Sequence, residues 1–157
     1  MVTIAQANLD NPRHATGIVD CLDAYAQDPM GGGQALSLYA RQNLITGLRA
    51  HPASMTFIAQ KADQIVGVAV CFIGYSTFTA KPRLNLHDLI VLPEQRGRGI
   101  GRALLKAVVG HAEATDCCAV TLEVRKDNPT AQTLYRSLGF GGGSSAMEFW
   151  VKPVEIR

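Results

Sequence analysis

The sequence predicts a single α/β domain over residues 1–157, with a mixed, mostly antiparallel sheet flanked by helices. Three observations predict it. Apolar residues first recur at helical spacing, in two stretches before His51-Pro52. The pattern then changes to consecutive β-rich runs separated by short polar breaks. The last of these runs leads straight into PEQRGRGIGRALL, residues 93–105, where a glycine-rich turn opens another helix.

The elements follow in order. Val2–Ala7 alternates enough for a first strand. Asp10-Asn11-Pro12 is a helix entry, a capping side chain followed by proline, and Ile18, Val19, Leu22 and Tyr25 carry that helix to about Gln27. Asp28-Pro29-Met30-Gly31-Gly32-Gly33 breaks it, either as a connector or as a mobile lid. A second helix carries Leu36, Leu38, Tyr39, Leu44, Ile45 and Leu48. Ser54–Gln60 and Gln64–Tyr75 read as a hairpin turning at Lys61-Ala62-Asp63, and Leu84–Leu92 is the next strand. Behind the glycine turn, Ile100, Ala103, Leu104, Ala107 and Val108 share a helical face. A strand at Cys118–Val124, a helix at Pro129–Leu138 stopped by Gly139, and a last strand at Phe149-Trp150-Val151 complete the chain. Gly141-Gly142-Gly143 is a connector, and no repeat, linker or second domain is visible.

Composition narrows the function. The chain is 47% hydrophobic and 18% charged, with a net charge of +2, a globular balance too mild to suggest nucleic acid. No apolar run reaches the roughly 18 residues of a membrane span, and the start lacks an export signal. Cys21, Cys71, Cys117 and Cys118 form no Cys-x-x-Cys pair, so no metal site is expected. They read as buried, reduced thiols in a cytoplasmic protein.

The glycine stretch carries the chemistry. Backbone N–H groups in such a turn, backed by a helix N-terminus, make an anion pocket, and glycine lets phosphate oxygens come close. An NTPase phosphate loop requires Gly-Lys-Ser/Thr, which is missing; a Rossmann fingerprint requires Gly-x-Gly-x-x-Gly, and Gly97-x-Gly99-x-Gly101 has the wrong spacing. Arg96-Gly97-Arg98-Gly99-Ile100-Gly101 instead resembles the Arg/Gln-x-x-Gly-x-Gly/Ala motif of the GCN5-related N-acetyltransferase family. The resemblance is close from Leu86 to Phe140, through HDLIVLP before the motif and LEVRKDNPTAQTLYRSLGF after it. The N-terminal half agrees mainly in element order.

The resemblance implies the acyl-CoA N-acyltransferase fold and acetyl-CoA as co-substrate, without a metal. It implies that Arg96, Gly97, Arg98, Gly99, Ile100, Gly101 and Arg102 bind the cofactor, with Gly97 to Arg102 wrapping the coenzyme A pyrophosphate. Pantetheine would lie where the preceding strand splays from the next, against Leu89, Ile90 and Val91, with Asn128 contacting the cofactor beyond. Tyr135 falls where the family places the tyrosine that faces the coenzyme A sulfur, although Ala131, Leu134 and Leu138 give it a core-like helical setting. Three residues compete as base: Glu123, His87 and Asp88. Glu123 is preferred because its Glu-Val-Arg context resembles the ribosomal-protein alanine acetyltransferases. His87 and Asp88 resemble the acidic pair of the diamine acetyltransferases. The acceptor implied first is a small primary amine, and second a protein N-terminus or lysine; a coenzyme A-binding sensor without turnover is the rival from another class. Many relatives dimerise, so a homodimer is compatible with the family.

Overall fold

A computed structural model describes residues 1–141 and 148–154. Its elements are β1 (Val2–Gln6), α1 (Pro12–Gln27), α2 (Leu38–Ala50), β2 (Ser54–Lys61), β3 (Gln64–Ser76), β4 (Lys81–Val91), α3 (Ile100–Ala114), β5 (Val120–Leu122) and α4 (Pro129–Arg136). Short 3-10 turns occupy Pro29–Gly31 and Pro93–Gln95. The strands lie in the order β1-β2-β3-β4-β5. Pairing is antiparallel through β4; short turns join β2 to β3 and β3 to β4, while α1 and α2 separate β1 from β2. It is parallel between β4 and β5, where α3 carries the chain back.

Each face of the sheet has its own core. On one side Ala69, Cys71, Leu84 and Leu86 pack under Leu104, Leu105 and Val108 of α3. Burying each of those three α3 side chains contributes about 1.5–3 kcal/mol relative to exposure. On the other side Ile58, Val68, Val70 and Ile90 pack against Ile18 and Cys21 of α1 and Leu48 of α2. Gly67 permits the approach of α3 to the sheet, since a Cβ there would stand 3.1 Å from Leu104 and 3.0 Å from the Ile90 carbonyl.

An irregularity in β4 positions the site. Val70 pairs with Asp88 but Cys71 pairs with Leu86, which leaves His87 as the extra residue of a β-bulge. The bulge resets the alternation. Leu84 and Leu86 face α3 before it, as Leu89 and Val91 do after it. Ile90, two positions beyond Asp88, faces the α1 side, so Asp88 points the same way.

Several expectations are corrected. The second helix begins at Leu38, not Leu36, because Ser37 caps it by accepting from Ala40 N, while Leu36 N donates to Asp23 at 2.8 Å. The strand expected at Leu84 starts at Lys81, since the β3–β4 hairpin extends its ladder past Pro82. Pro82 lacks an N–H but its carbonyl accepts from Cys118 N at 2.8 Å, so the strand tolerates it there. The Cys118–Val124 strand shrinks to three residues, for β4 supplies a partner only as far as Leu86. The last helix ends at Arg136 and the first strand at Gln6. Phe149-Trp150-Val151 forms no strand: no neighbouring strand among the described residues pairs with it, and all three side chains are largely exposed. Gly142 and Gly143 lie outside the described residues. All four cysteines are free, but only Cys21 and Cys71 are buried, with thiols pushed up to about 12 chiefly by burial. Cys117 and Cys118 follow α3 at the rim of the sheet and are half-buried.

Candidate active site

The turn from β4 into α3 is shaped for an anion. Gly97 and Gly99 take φ of 75° and 78°, the left-handed region that glycine enters without strain. A Cβ at either position would meet no atom within 4 Å, so open space fronts the loop. α1, α2 and α4 are each capped by a side chain, from Asn11, Ser37 and Asn128. α3 has Gly99 as its N-cap and no capping side chain. Its first backbone N–H groups therefore remain available to an outside acceptor, at the positive end of the helix dipole. Arg98 and Arg102 are exposed, and among the described residues neither pairs with a carboxylate. The Ile100 side chain is buried in the core, leaving only its backbone to the loop.

A second feature adjoins this loop. β5 pairs with β4 only from Leu84 to Leu86, so the edge of β4 from His87 to Val91 has no strand beside it among the described residues. A cavity of about 480 Å³ opens along that edge, with Leu89, Ile90 and Val91 as one wall. α4 forms the opposite wall through Asn128, Leu134 and Tyr135, and Gly101 links the cavity to the loop. An exposed strand edge offers alternating donors and acceptors to an extended amide-bearing chain. Asn128 accepts from Ala131 N at 3.1 Å as the α4 cap, so its amide N–H groups are what it has left to donate.

Tyr135 is half-buried and packs on the α3-side core, with its ring 6.1 Å from that of Phe140. Its hydroxyl is raised above the usual tyrosine value by burial, and further by Tyr25, so it stays an O–H donor at neutral pH. Asp88 is half-buried on the α1 side of the sheet, and its carboxyl is raised by burial, against an opposing pull from His87. His87 is exposed at the bulge, its ring edge-on to Phe72 at 5.4 Å. Glu123 lies just past β5, exposed and outside the cavity wall. Tyr135 and Leu89, the neighbour of Asp88, thus line one cavity, while Asp88, His87 and Glu123 are all outside its lining.

The Asp28–Gly33 segment, weighed in the sequence as connector or lid, and Tyr25, not singled out there, complete the wall. Tyr25, Asp28 and Met30 close the cavity from the α1 end. Tyr25 donates from its hydroxyl to the Met30 carbonyl at 3.4 Å, and that hydroxyl is raised by burial first and then by Asp88. Helical spacing marked Tyr25 only as core; its place in the last turn before a proline-glycine break was the available signal. Among the described residues no cluster of three or more His, Cys, Asp or Glu could hold a metal, and no helix is long and apolar enough to cross a membrane.

A free strand edge thus runs into an uncapped helix start in an α/β domain with a mixed sheet. The model of the Acetyltransferase (GNAT) family matches residues 19–140, and the chain belongs to that family. The chain is similar to the thialysine N-epsilon-acetyltransferase of Bos taurus, 36% identical over 75 residues, covering 48% of this chain and 44% of that protein. It is also similar to the N-alpha-acetyltransferase RimI of Mycobacterium tuberculosis, 41% identical over 76 residues, covering 47% of this chain and 46% of that protein. The chain thus spans less than half the length of these curated relatives. A solved structure described as a probable acetyltransferase superposes with a TM-score of 0.82 over 99% of each chain at 22% identity, which shows the shared fold.

Proposed function

We propose that this domain transfers acetyl from acetyl-CoA to a primary amine by direct attack. The observation that carries the reading is the continuity of three features: the uncapped α3 start, the unpaired β4 edge and a cavity that Tyr135 borders. Acetyl-CoA would supply an activated thioester. The N–H groups of residues 97–102, with Arg98 and Arg102, fit its pyrophosphate, and the β4 edge fits its pantetheine amides. The Tyr135 hydroxyl, kept protonated by burial, would give its proton to the departing thiolate.

The base must take a proton from an amine whose ordinary pKa of about 10 leaves it mostly charged at neutral pH. Geometry favours Asp88 over Glu123 and His87. Asp88 is half-buried, adjoins the cavity-lining Leu89 and is raised by burial, whereas Glu123 is exposed; neither side chain itself lines the cavity. Asp88→Asn is expected to lower kcat/KM by about 10²–10⁴-fold. In the wild type the acidic limb should lie above the ordinary carboxylate range, because activity is lost as pH falls through a raised pKa. Stability should move oppositely. A carboxyl that binds its proton more tightly when folded destabilises the fold as pH rises through its pKa, so Asp88→Asn should melt higher than wild type at pH 7. Thermal unfolding and pH profiles of both proteins check this; a lower melting temperature with an unchanged acidic limb would return the base to Glu123 or His87.

For the acceptor, a small amine is the first reading, supported by the carboxylate of Asp28 in the cavity wall, by Asp88 near enough to act on Tyr25, and by the similarity to the thialysine enzyme. A protein N-terminus is the second, supported by the similarity to RimI. A panel of short diamines, lysine analogues and N-terminal peptides, followed by release of coenzyme A thiol, separates them. Turnover with diamines and none with peptides is expected; no release with any amine would favour a coenzyme A-binding sensor. A cytoplasmic setting and a homodimer belong to this proposal too; the four free thiols suit a reducing compartment, and sedimentation tests the dimer.

A further inference from the structure

Arg96 opens the glycine motif, yet its guanidinium is engaged within the protein. Nε donates to the Val91 carbonyl at 3.0 Å, and Nη2 donates to Asp28 Oδ2 at 3.1 Å. Asp28 lies 68 residues away in sequence, at the head of the 3-10 turn Pro29–Gly31. Its other oxygen accepts from Met30 N at 2.9 Å, and its backbone carbonyl accepts from Gly31 N and Gly33 N. The Met30 amide first, and then Arg96, hold the Asp28 carboxyl below the usual carboxylate range. Asp28 is only 20% exposed, against 49% for Arg96. Gly31 presses on the end of α1, where a Cβ would collide with the Tyr25 carbonyl. Residues 28–31 therefore form a strap that starts at α1, walls the cavity with Asp28 and Met30, and is tied across to the end of β4.

We propose that Asp28 is a positioning residue for acetyl-CoA binding, acting through its ion pair with Arg96 to hold the strap over the cavity, while Arg98 and Arg102 supply the cationic contacts to pyrophosphate. The proposal rests on the acetyl-CoA reading above and deepens it. It makes a prediction of sign. By simple electrostatics, deleting a carboxylate beside a polyanion site strengthens binding, and an Arg96 released from Asp28 would strengthen it further. A strap that closes the cavity requires the reverse.

The test is a double-mutant cycle on the full chain, with acetyl-CoA affinity by calorimetry and hydrogen exchange of the unliganded protein. Asp28→Ala and Arg96→Ala should each weaken acetyl-CoA binding by about 3–10-fold, and the double variant should be little worse than either, since both break one pair. The reversed pair Asp28→Arg with Arg96→Asp should recover part of the loss, which an unrelated structural defect would not. Without ligand, the amides of Met30, Gly31 and Gly33 should exchange about tenfold faster in Arg96→Ala, while those of α3 hold. Tighter binding by Asp28→Ala, additive losses in the double variant, or unchanged strap exchange in Arg96→Ala would each overturn the proposal. Faster strap exchange in a protein whose wild type binds no acetyl-CoA would refute the cofactor reading, and with it the assigned role, while leaving the ion pair itself established.

Discussion

Gly99→Val is expected to abolish the rise in melting temperature that acetyl-CoA gives the wild type. At φ of 78° a β-branched residue is strained, and its side chain would project into the open space before the uncapped start of α3. Both effects displace the N–H groups that a pyrophosphate would meet. The expected loss of affinity is about 100-fold or more, roughly 3 kcal/mol, enough to remove a thermal shift at ordinary ligand concentrations. The fold should survive, with a melting temperature lowered by the local strain alone, because no atom lies within 4 Å of the added Cβ. Gly99→Ala, which is less strained, should weaken binding without abolishing it. A full acetyl-CoA shift in Gly99→Val, with a native circular dichroism spectrum, would remove the loop from the binding site.

Tyr135→Phe is expected to lower turnover by about 10–1,000-fold while leaving acetyl-CoA affinity and stability nearly unchanged. The ring packs on the α3-side core beside Phe140, and phenylalanine keeps those contacts. Only the hydroxyl is removed, and among the described residues no protein group hydrogen-bonds to it, so no buried partner is left unsatisfied. A fall confined to kcat and kcat/KM, without a matching rise in the acetyl-CoA Kd, is the signature of a proton donor used in the reaction. Unchanged turnover would make Tyr135 a packing residue.

The parts of the fold set by local chemistry were legible in the sequence. Asn11-Pro12 marks the start of α1, and its end at Gln27 follows from Asp28-Pro29. The glycine turn and its helix were readable for the same reason: positive φ at Gly97 and Gly99 is written in residue type. What depended on pairing was not. The bulge at His87 shows in LNLHDLIV only as two polar residues in a row, which without the pairing partner does not identify a bulge. Yet it decides that Asp88 points towards α1 and Leu89 towards α3. Apolar alternation continued from Val120 to Val124, but β5 stops at Leu122 because β4 no longer runs beside it. That same divergence makes the cavity and leaves Glu123, the preferred base on sequence context, exposed at its outer side. The Asp28–Arg96 pair joins two segments with no sequence relation, so only the folded chain reveals it.

The most direct measurement is a crystal structure of the acetyl-CoA complex. The pyrophosphate oxygens should lie about 3 Å from the backbone nitrogens of residues 97–102. Pantetheine should run along the β4 edge at Leu89–Val91, and the thioester sulfur should lie within hydrogen-bonding reach of the Tyr135 hydroxyl. Acetyl-CoA bound elsewhere, or bound with its sulfur remote from both Tyr135 and Asp88, would contradict acetyl transfer at this cavity.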